Sequence, residues 1–266
     1  MGEQTANELL TQVVGRLVEK AFDNEWIDQW FFVRYYDPEH HLRLRFHCLR
    51  NSYSAILMEL NGMLTPWKKA GQVHAMQVDT YERELERYGY STMPLCEQLF
   101  WADSEWNLQW IGNDAELGED EQWWIACQRA DQMMTCFGLT LTQKQELTVI
   151  LQERFLRENK ENTAVRKELN SQYRTWEIRM KGHSTKPPVL STETLLLIES
   201  IRVTLATSNA GLPTVTDLLK ALLHMQFNRF FISSQRLSEG VVYHFLARQY
   251  TSQLGKQRTV MSLETA

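Results

Sequence analysis

Two arginines at alternate positions of an extended run are the most chemically suggestive feature of this chain. They lie in His41-Leu42-Arg43-Leu44-Arg45-Phe46-His47. Alternate residues of a strand face opposite ways, so Leu42, Leu44 and Phe46 form an apolar face while His41, Arg43, Arg45 and His47 project from the other. The two guanidinium groups start on backbone about 7 Å apart, two residues at about 3.4 Å each. Such a pair suits carboxylates, which arginine holds through two parallel N–H···O bonds. The same pattern also fits a solvated strand face, and the strand alone does not choose between them.

Two further segments carry charge in patterned form. Tyr81-Glu82-Arg83-Glu84-Leu85-Glu86-Arg87-Tyr88-Gly89 reads as a short helix ended by Gly89. On that reading Arg83 and Arg87 share a face at i,i+4, and Glu84 pairs with Arg87 at i,i+3. The plain alternative is a surface ladder worth about 0.2–0.5 kcal/mol per pair. In the helix expected over 214–232, Leu218, Leu219, Leu222 and Met225 make the core stripe, whereas Asp217, Ala221, His224 and Asn228 follow another face. A histidine in such company is either a packed core residue or an acid/base, its unperturbed pKa being about 6.5.

The elements that must position these residues are mainly helical. Leu9, Leu10, Val13, Val14, Leu17, Val18 and Phe22 recur at helical spacing among charged residues, an amphipathic helix rather than a signal segment. Residues 30–46 read as two strands around an Asp37-Pro38 turn, followed by a helix near 51–70 and a third extended segment near 72–80. Beyond Met93 the periods are helical. Leu95, Cys96, Leu99, Trp106 and Trp110 form one stripe, and a second, from Trp123 through Met134 to Phe137, stops at Gly138. Thr142 with Gln145 resembles a capping box, Val165, Leu169, Tyr173 and Trp176 mark another helix, and helices over 191–207 and after Ser238 complete the chain. Residues 181–188 read as a loop inside one domain spanning 1–266. The fold class is α+β: a small antiparallel sheet in the N-terminal third with a mostly helical remainder.

Bulk properties exclude several classes. With 28 basic and 33 acidic residues, net −5, the chain makes no global electrostatic case for nucleic acid. No stretch approaches the roughly 18 apolar residues of a membrane span, so a soluble, cytoplasmic protein is expected. Cys48, Cys96, Cys127 and Cys136 are too dispersed for a metal or redox motif and read as reduced core thiols. No glycine fingerprint, P-loop, His-Glu-x-x-His or nucleophile elbow occurs, and no cofactor is expected. What remains is an arginine-rich set with one histidine, suited to proton transfer beside a bound anion.

Taken in order, Arg34-Tyr35-Tyr36-Asp37-Pro38, His41 through Phe46, the 81–89 segment, Phe100-Trp101-Ala102-Asp103-Ser104 and the His224 segment resemble the SpaB C-terminal family, also called the thiopeptide-type bacteriocin biosynthesis domain. The likeness covers nearly the whole chain. It implies a lyase that eliminates glutamate from glutamylated serine or threonine of a precursor peptide, leaving dehydroalanine or dehydrobutyrine in lanthipeptide or thiopeptide biosynthesis. Motif correspondence places the family's functional residues at Arg43, Arg45, Glu84, Arg87 and His224, and His41, Arg83, Asn228 and Arg229 are expected at the substrate. His224 is expected as the acid/base and Glu84 as the residue orienting Arg87. The chain departs from the family at Tyr90, often a second glycine, and Gln226, often a second histidine. The resemblance further implies a stand-alone protein served by a separate glutamyl-tRNA-dependent glutamylating enzyme, since 266 residues leave no room for that activity. Two alternatives stay open: the family's pyridine synthases, which join two dehydroalanines in a formal [4+2] reaction, and a non-catalytic adaptor.

Overall fold

The first helix repeats its apolar residues every four positions, Leu9, Val13, Leu17 and Ala21 beside Leu10, Val14 and Val18, all buried. In a helix of 3.6 residues per turn such a stripe drifts by about 40° per step. The chain corrects this with one wider turn: α1 (Glu3–Leu9) passes through a π-helical turn (Leu10–Val14) into α2 (Gly15–Asp23). The computed structural model describes residues 2–37, 39–113, 117–159, 163–180, 189–207 and 212–264. The expected loop at 181–188 and Pro38 of the expected turn lie outside them.

Two antiparallel strands follow, β1 (Ile27–Tyr35) and β2 (His41–Cys48), with Phe31 opposite Arg45, Val33 opposite Arg43 and Tyr35 opposite His41. The parity expected of β2 holds. Leu42, Leu44 and Phe46 pack with Trp30 and Phe32 onto the core built by α1, α2 and α3 (Tyr53–Lys69). The segment expected as a third extended element forms no strand, and the sheet has two. Its Val73 is buried in that core and Met76 packs against it, so apolar anchoring rather than a ladder holds it. Then come the single turn α4 (Leu85–Tyr88) and the long α5 (Met93–Asn113). Trp106 and Trp110 of α5 stack 5.2 Å apart, and each ring lies 6.0 Å from Phe230.

The remaining helices are α6 (Glu119–Cys136), α7 (Leu141–Glu158), α8 (Thr163–Met180), α9 (Thr192–Thr207), α10 (Val215–Phe230) and α11 (Gln235–Glu264). The capping box of α7 is Thr140 with Gln143, not Thr142 with Gln145. Gly138, with φ +83, ends the preceding helix early enough to put Thr140 at the helix start. Gly240 allows α11 to approach α7 closely, since a Cβ there would come within 2.5 Å of the Phe155 ring. Chain contacts form two compact units: Met1–Glu116 with Ser208–Leu212 and Asn228–Ser233, and Leu117–Thr207 with Pro213–Phe227 and Ser234–Ala266. The α+β class is thus observed, with the sheet in the first unit and helices in both.

The cysteines divide. Cys96 and Cys127 are buried, and burial pushes the Cys96 thiol up to about 12, whereas Cys48 is exposed and Cys136 half-buried. Only two of the four are core thiols. Cys48 escapes because it ends β2, beyond the last core-facing residue, Phe46. Among the described residues no helix is long and apolar enough to cross a membrane.

Candidate functional site

The arginines of β2 leave the strand on the side opposite its core-facing leucines and are held by tyrosine rings. The Arg43 guanidinium carbon lies 3.7 Å from the centre of the Tyr35 ring, and its Nε donates to His41 Nε2 at 3.2 Å. His41 Nδ1 is 2.8 Å from the Glu39 carbonyl oxygen. That pair of contacts assigns the imidazole proton to Nδ1, leaving Nε2 to accept from arginine. The His41 and Tyr35 rings stack at 5.5 Å, as expected of cross-strand partners. Arg45 lies 5.4 Å from the Tyr81 ring centre and donates from Nη1 to the Leu44 carbonyl at 3.3 Å. Among the described residues neither guanidinium is paired with a carboxylate. Cation–π support of this kind pre-orients a guanidinium without occupying its N–H fork.

The segment after β2 differs from the helix expected over 81–89, because only Leu85–Tyr88 is helical. Arg83 stands before that turn, so it does not share a helical face with Arg87. It forks instead onto Glu97 of α5, Nε to Oε1 at 2.9 Å and Nη2 to Oε2 at 2.6 Å. Burial, reinforced by the charge of the same Glu97 carboxylate, pushes the Tyr81 phenol well above its ordinary value. The buried Glu97 thus anchors, through Arg83, the segment that carries the ring on which Arg45 rests. The i,i+3 pair of Glu84 and Arg87 forms as expected, at 2.8 Å, with both side chains about half exposed. Gly89, with φ +78, closes the turn.

Asn228 and Arg229, expected at the substrate, face the other edge of β1. Asn228 Oδ1 accepts the Arg34 N–H at 2.9 Å and its Nδ2 donates to the Arg34 carbonyl at 2.8 Å, as a neighbouring strand would. Arg229 Nε donates to the Phe32 carbonyl at 2.9 Å, its Nη1 is 3.2 Å from Asp103 Oδ2, and the side chain is 1% exposed. Ser104 Oγ takes the Phe32 N–H at 3.2 Å. The Phe100–Ser104 run is therefore wired to the same edge. Behind it, burial lowers the pKa of the Arg34 guanidinium to about 10, with Nη2 donating to Asn7 Oδ1 at 2.7 Å.

In the second unit, His224 is not a packed core residue, since its side chain is 44% exposed. Its Nδ1 lies 3.2 and 3.1 Å from the two oxygens of Glu239 on α11. Glu239 also accepts from the Tyr243 hydroxyl at 2.7 Å and from Arg236 Nη1 at 2.9 Å. Burial alone would raise the Glu239 carboxyl, but these hydrogen bonds and the Arg236 charge outweigh it and hold the group below the usual glutamate range. In neutral His224 the proton then belongs on Nδ1, which leaves Nε2 as acceptor. Replacing Glu239 with Ala is expected to cost ~1–3 kcal/mol through the stranded Tyr243 hydroxyl and to move the neutral ring's proton toward Nε2. Urea denaturation and side-chain ¹⁵N NMR check both, and an unchanged Nδ1–H tautomer would contradict the assignment.

Sequence reasoning passed over Glu239, Glu97, Tyr35 and Tyr81. The tyrosines had a signal: Tyr35 sits at the end of the strand before the turn, and Tyr81 opens the charged segment. Glu239 had none, because fifteen positions and a break between helices separate it from His224. Among the described residues no group of three or more His, Cys, Asp or Glu side chains is gathered as metal ligands would be.

Comparison with known proteins gives the chain relatives in sequence and in fold. The chain is 42% identical over 93 residues to the subtilin biosynthesis protein SpaB of Bacillus subtilis, covering 32% of this chain and 9% of that protein. It is 38% identical over 78 residues to the nisin biosynthesis protein NisB of Lactococcus lactis subsp. lactis, covering 28% and 8%. Among solved structures, the tRNA-dependent lantibiotic dehydratase MibB from Microbispora sp. 107891 aligns with a TM-score of 0.63 at 19% identity, over 97% of this chain and 28% of that one. TsrL aligns with the same TM-score at 14% identity, over 96% and 93%. The last two share the fold, whereas the first two share residues, over less than a tenth of their own lengths. A family profile described as lantibiotic biosynthesis dehydratase C-term matches residues 1–250, from the first helix to within the last, and the chain belongs to that family.

Proposed function

We propose that residues 1–266 act as one elimination domain, a lyase that removes glutamate from glutamylated serine or threonine of a ribosomally made precursor peptide. The observation that carries this reading is the pair of guanidinium groups on β2, seated on tyrosine rings and unpaired with any carboxylate among the described residues. A glutamyl ester brings one free carboxylate and releases a second as it leaves. In the reaction a base takes the Cα proton, the Cα–H electrons form the Cα=Cβ bond, and the Cβ–O pair departs on glutamate. Charge develops on the neighbouring carbonyl oxygen, where positioned cations stabilise it.

His224 serves as the acid/base, with Nε2 as its working nitrogen and Glu239 holding the tautomer. Arg43 and Arg45 take the carboxylates, His41 completes their face, and Glu84 orients Arg87. Arg83 contributes by fixing Tyr81 through Glu97. Asn228 and Arg229 support the substrate face from behind β1. No cofactor enters. The ester is supplied by a separate glutamyl-tRNA-dependent enzyme, a cytoplasmic partnership in keeping with the tRNA dependence of the MibB dehydratase.

The test is mass spectrometry of a glutamylated precursor peptide incubated with the purified protein. Loss of one glutamate per modified residue is expected. Retention of the ester with the peptide still bound would replace the lyase with an adaptor. Leader expulsion from a dehydroalanine- and azole-containing peptide, with no glutamate loss from the first substrate, would replace it with a pyridine synthase.

A further inference from the structure

The two edges of the hairpin are treated differently. On β1, the N–H and C=O groups of Phe32 and Arg34 point away from β2 and are met by Ser104, Asn228 and Arg229. In an antiparallel pair a residue turns both backbone groups toward its neighbour or both away, and residues opposite one another share that choice. Phe32 is opposite Leu44, and Arg34 is opposite Leu42. Leu42, Leu44 and, by alternation, Phe46 therefore turn their N–H and C=O groups outward. No side chain or backbone acceptor among the described residues takes the three N–H groups. Among the described residues their carbonyls receive Arg45 Nη1 on Leu44, at 3.3 Å, and Cys48 Sγ on Phe46, at 3.8 Å. The residues of 73–84, which follow the sheet's own helix, make no backbone bond to this edge. It carries no proline and its one register shift lies at the far end, at Ile27/Gln29; of the usual protections of a sheet edge it has the charged side chains of Arg43 and Arg45, which project from one face and leave the backbone groups turned outward.

We propose that this open edge of β2 receives the peptide substrate as a third, extended strand, an inference that rests on the elimination reading above. The occupant follows from what borders the edge. An added strand would run about 4.8 Å from β2. Its alternate side chains would then stand beside Arg43 and Arg45 on one face, with Cβ atoms about 4.5–5.5 Å from theirs. Among the described residues neither guanidinium has a carboxylate partner, so the fitting strand is one bearing a carboxylate on that face: a glutamylated serine or threonine. Main-chain bonds would supply affinity without regard to sequence and the arginines the selection, the division of labour of strand-addition complexes. Such docking lets one site process several residues of a peptide by sliding the strand two positions at a time.

The experiment uses the whole protein and a fluorescent ten-residue peptide carrying one glutamyl-serine, with binding followed by anisotropy, glutamate loss by mass spectrometry, and amide hydrogen exchange by NMR. Exchange at Leu42, Leu44 and Phe46 is expected to slow on binding, while that at Arg43 and Arg45, whose amides already face β1, stays as it was. N-methylation of the peptide in one alternating register is expected to weaken binding about tenfold per lost bond, and in the other register to leave it unchanged. A peptide that binds or is eliminated without slowing those three amides overturns the strand addition and leaves the lyase standing. Protection of the three amides before any peptide is added overturns it as well, by showing the edge filled by the chain itself or a second copy. Absence of both binding and elimination overturns this proposal together with the lyase.

Discussion

Arg43→Ala and Arg87→Ala are each expected to leave the glutamyl ester on the peptide, slowing elimination about 10²–10³-fold, the usual cost of removing one donor to developing charge. The fold should hardly notice. Among the described residues Arg43 is held by the Tyr35 ring and a hydrogen bond to His41, without an ion pair, and Arg87 makes a half-exposed pair with Glu84. Exposed pairs contribute about 0–1 kcal/mol, so urea midpoints should stay near that of the parent. Arg43→Lys separates charge from geometry: an ammonium keeps the positive charge but loses the planar fork and its stacking on Tyr35, and recovers only part of the rate. Single-turnover mass spectrometry at saturating peptide reads the chemical step, and titration of the peptide reads binding. If both alanine variants kept the full rate, the assignment of the carboxylate site to β2 and the following turn would fail.

The second large effect is structural. Arg229→Met is expected to destabilise the protein by ~3–5 kcal/mol, because it leaves the buried Asp103 carboxylate without its cation and strips the Phe32 carbonyl of a donor. Against a total stability of about 5–15 kcal/mol this is a large share. The double variant Arg229→Met with Asp103→Asn should recover part of the loss, since no unpaired charge then remains buried. Equilibrium urea unfolding of the four proteins measures the coupling. An Arg229→Met protein as stable as its parent yet unable to eliminate glutamate would return Arg229 to the substrate, where the sequence motif puts it.

These two residues show why the motifs are legible and their roles only partly so. Period-two and near-3.6 patterns locate β1, β2 and most helices, since apolar spacing follows directly from backbone geometry. The four-residue repeat of the first helix is equally visible, yet its consequence, a π-helical turn, depends on the core the stripe must keep facing. The short turn at 85–88 reads from sequence as a longer helix. Propensity favours that, but the forked bond from Arg83 to Glu97 and the Tyr81 contact hold residues 81–84 out of it.

By itself the sequence determined that one strand face would carry Arg43 and Arg45, that Glu84 would meet Arg87, and which family pattern the chain follows. Local geometry suffices for the first two, because neighbours on a strand or a single turn meet whatever the rest of the chain does. Only the tertiary structure decided which charges were already spent. It gave Arg83 to Glu97 and Arg229 to Asp103, held His224 against Glu239, and left Arg43 and Arg45 on tyrosine rings. Except for Tyr35, on the adjoining strand of the hairpin, those partners come from other elements of the chain, and burial, which makes an unpaired charge costly, is a property of the folded chain.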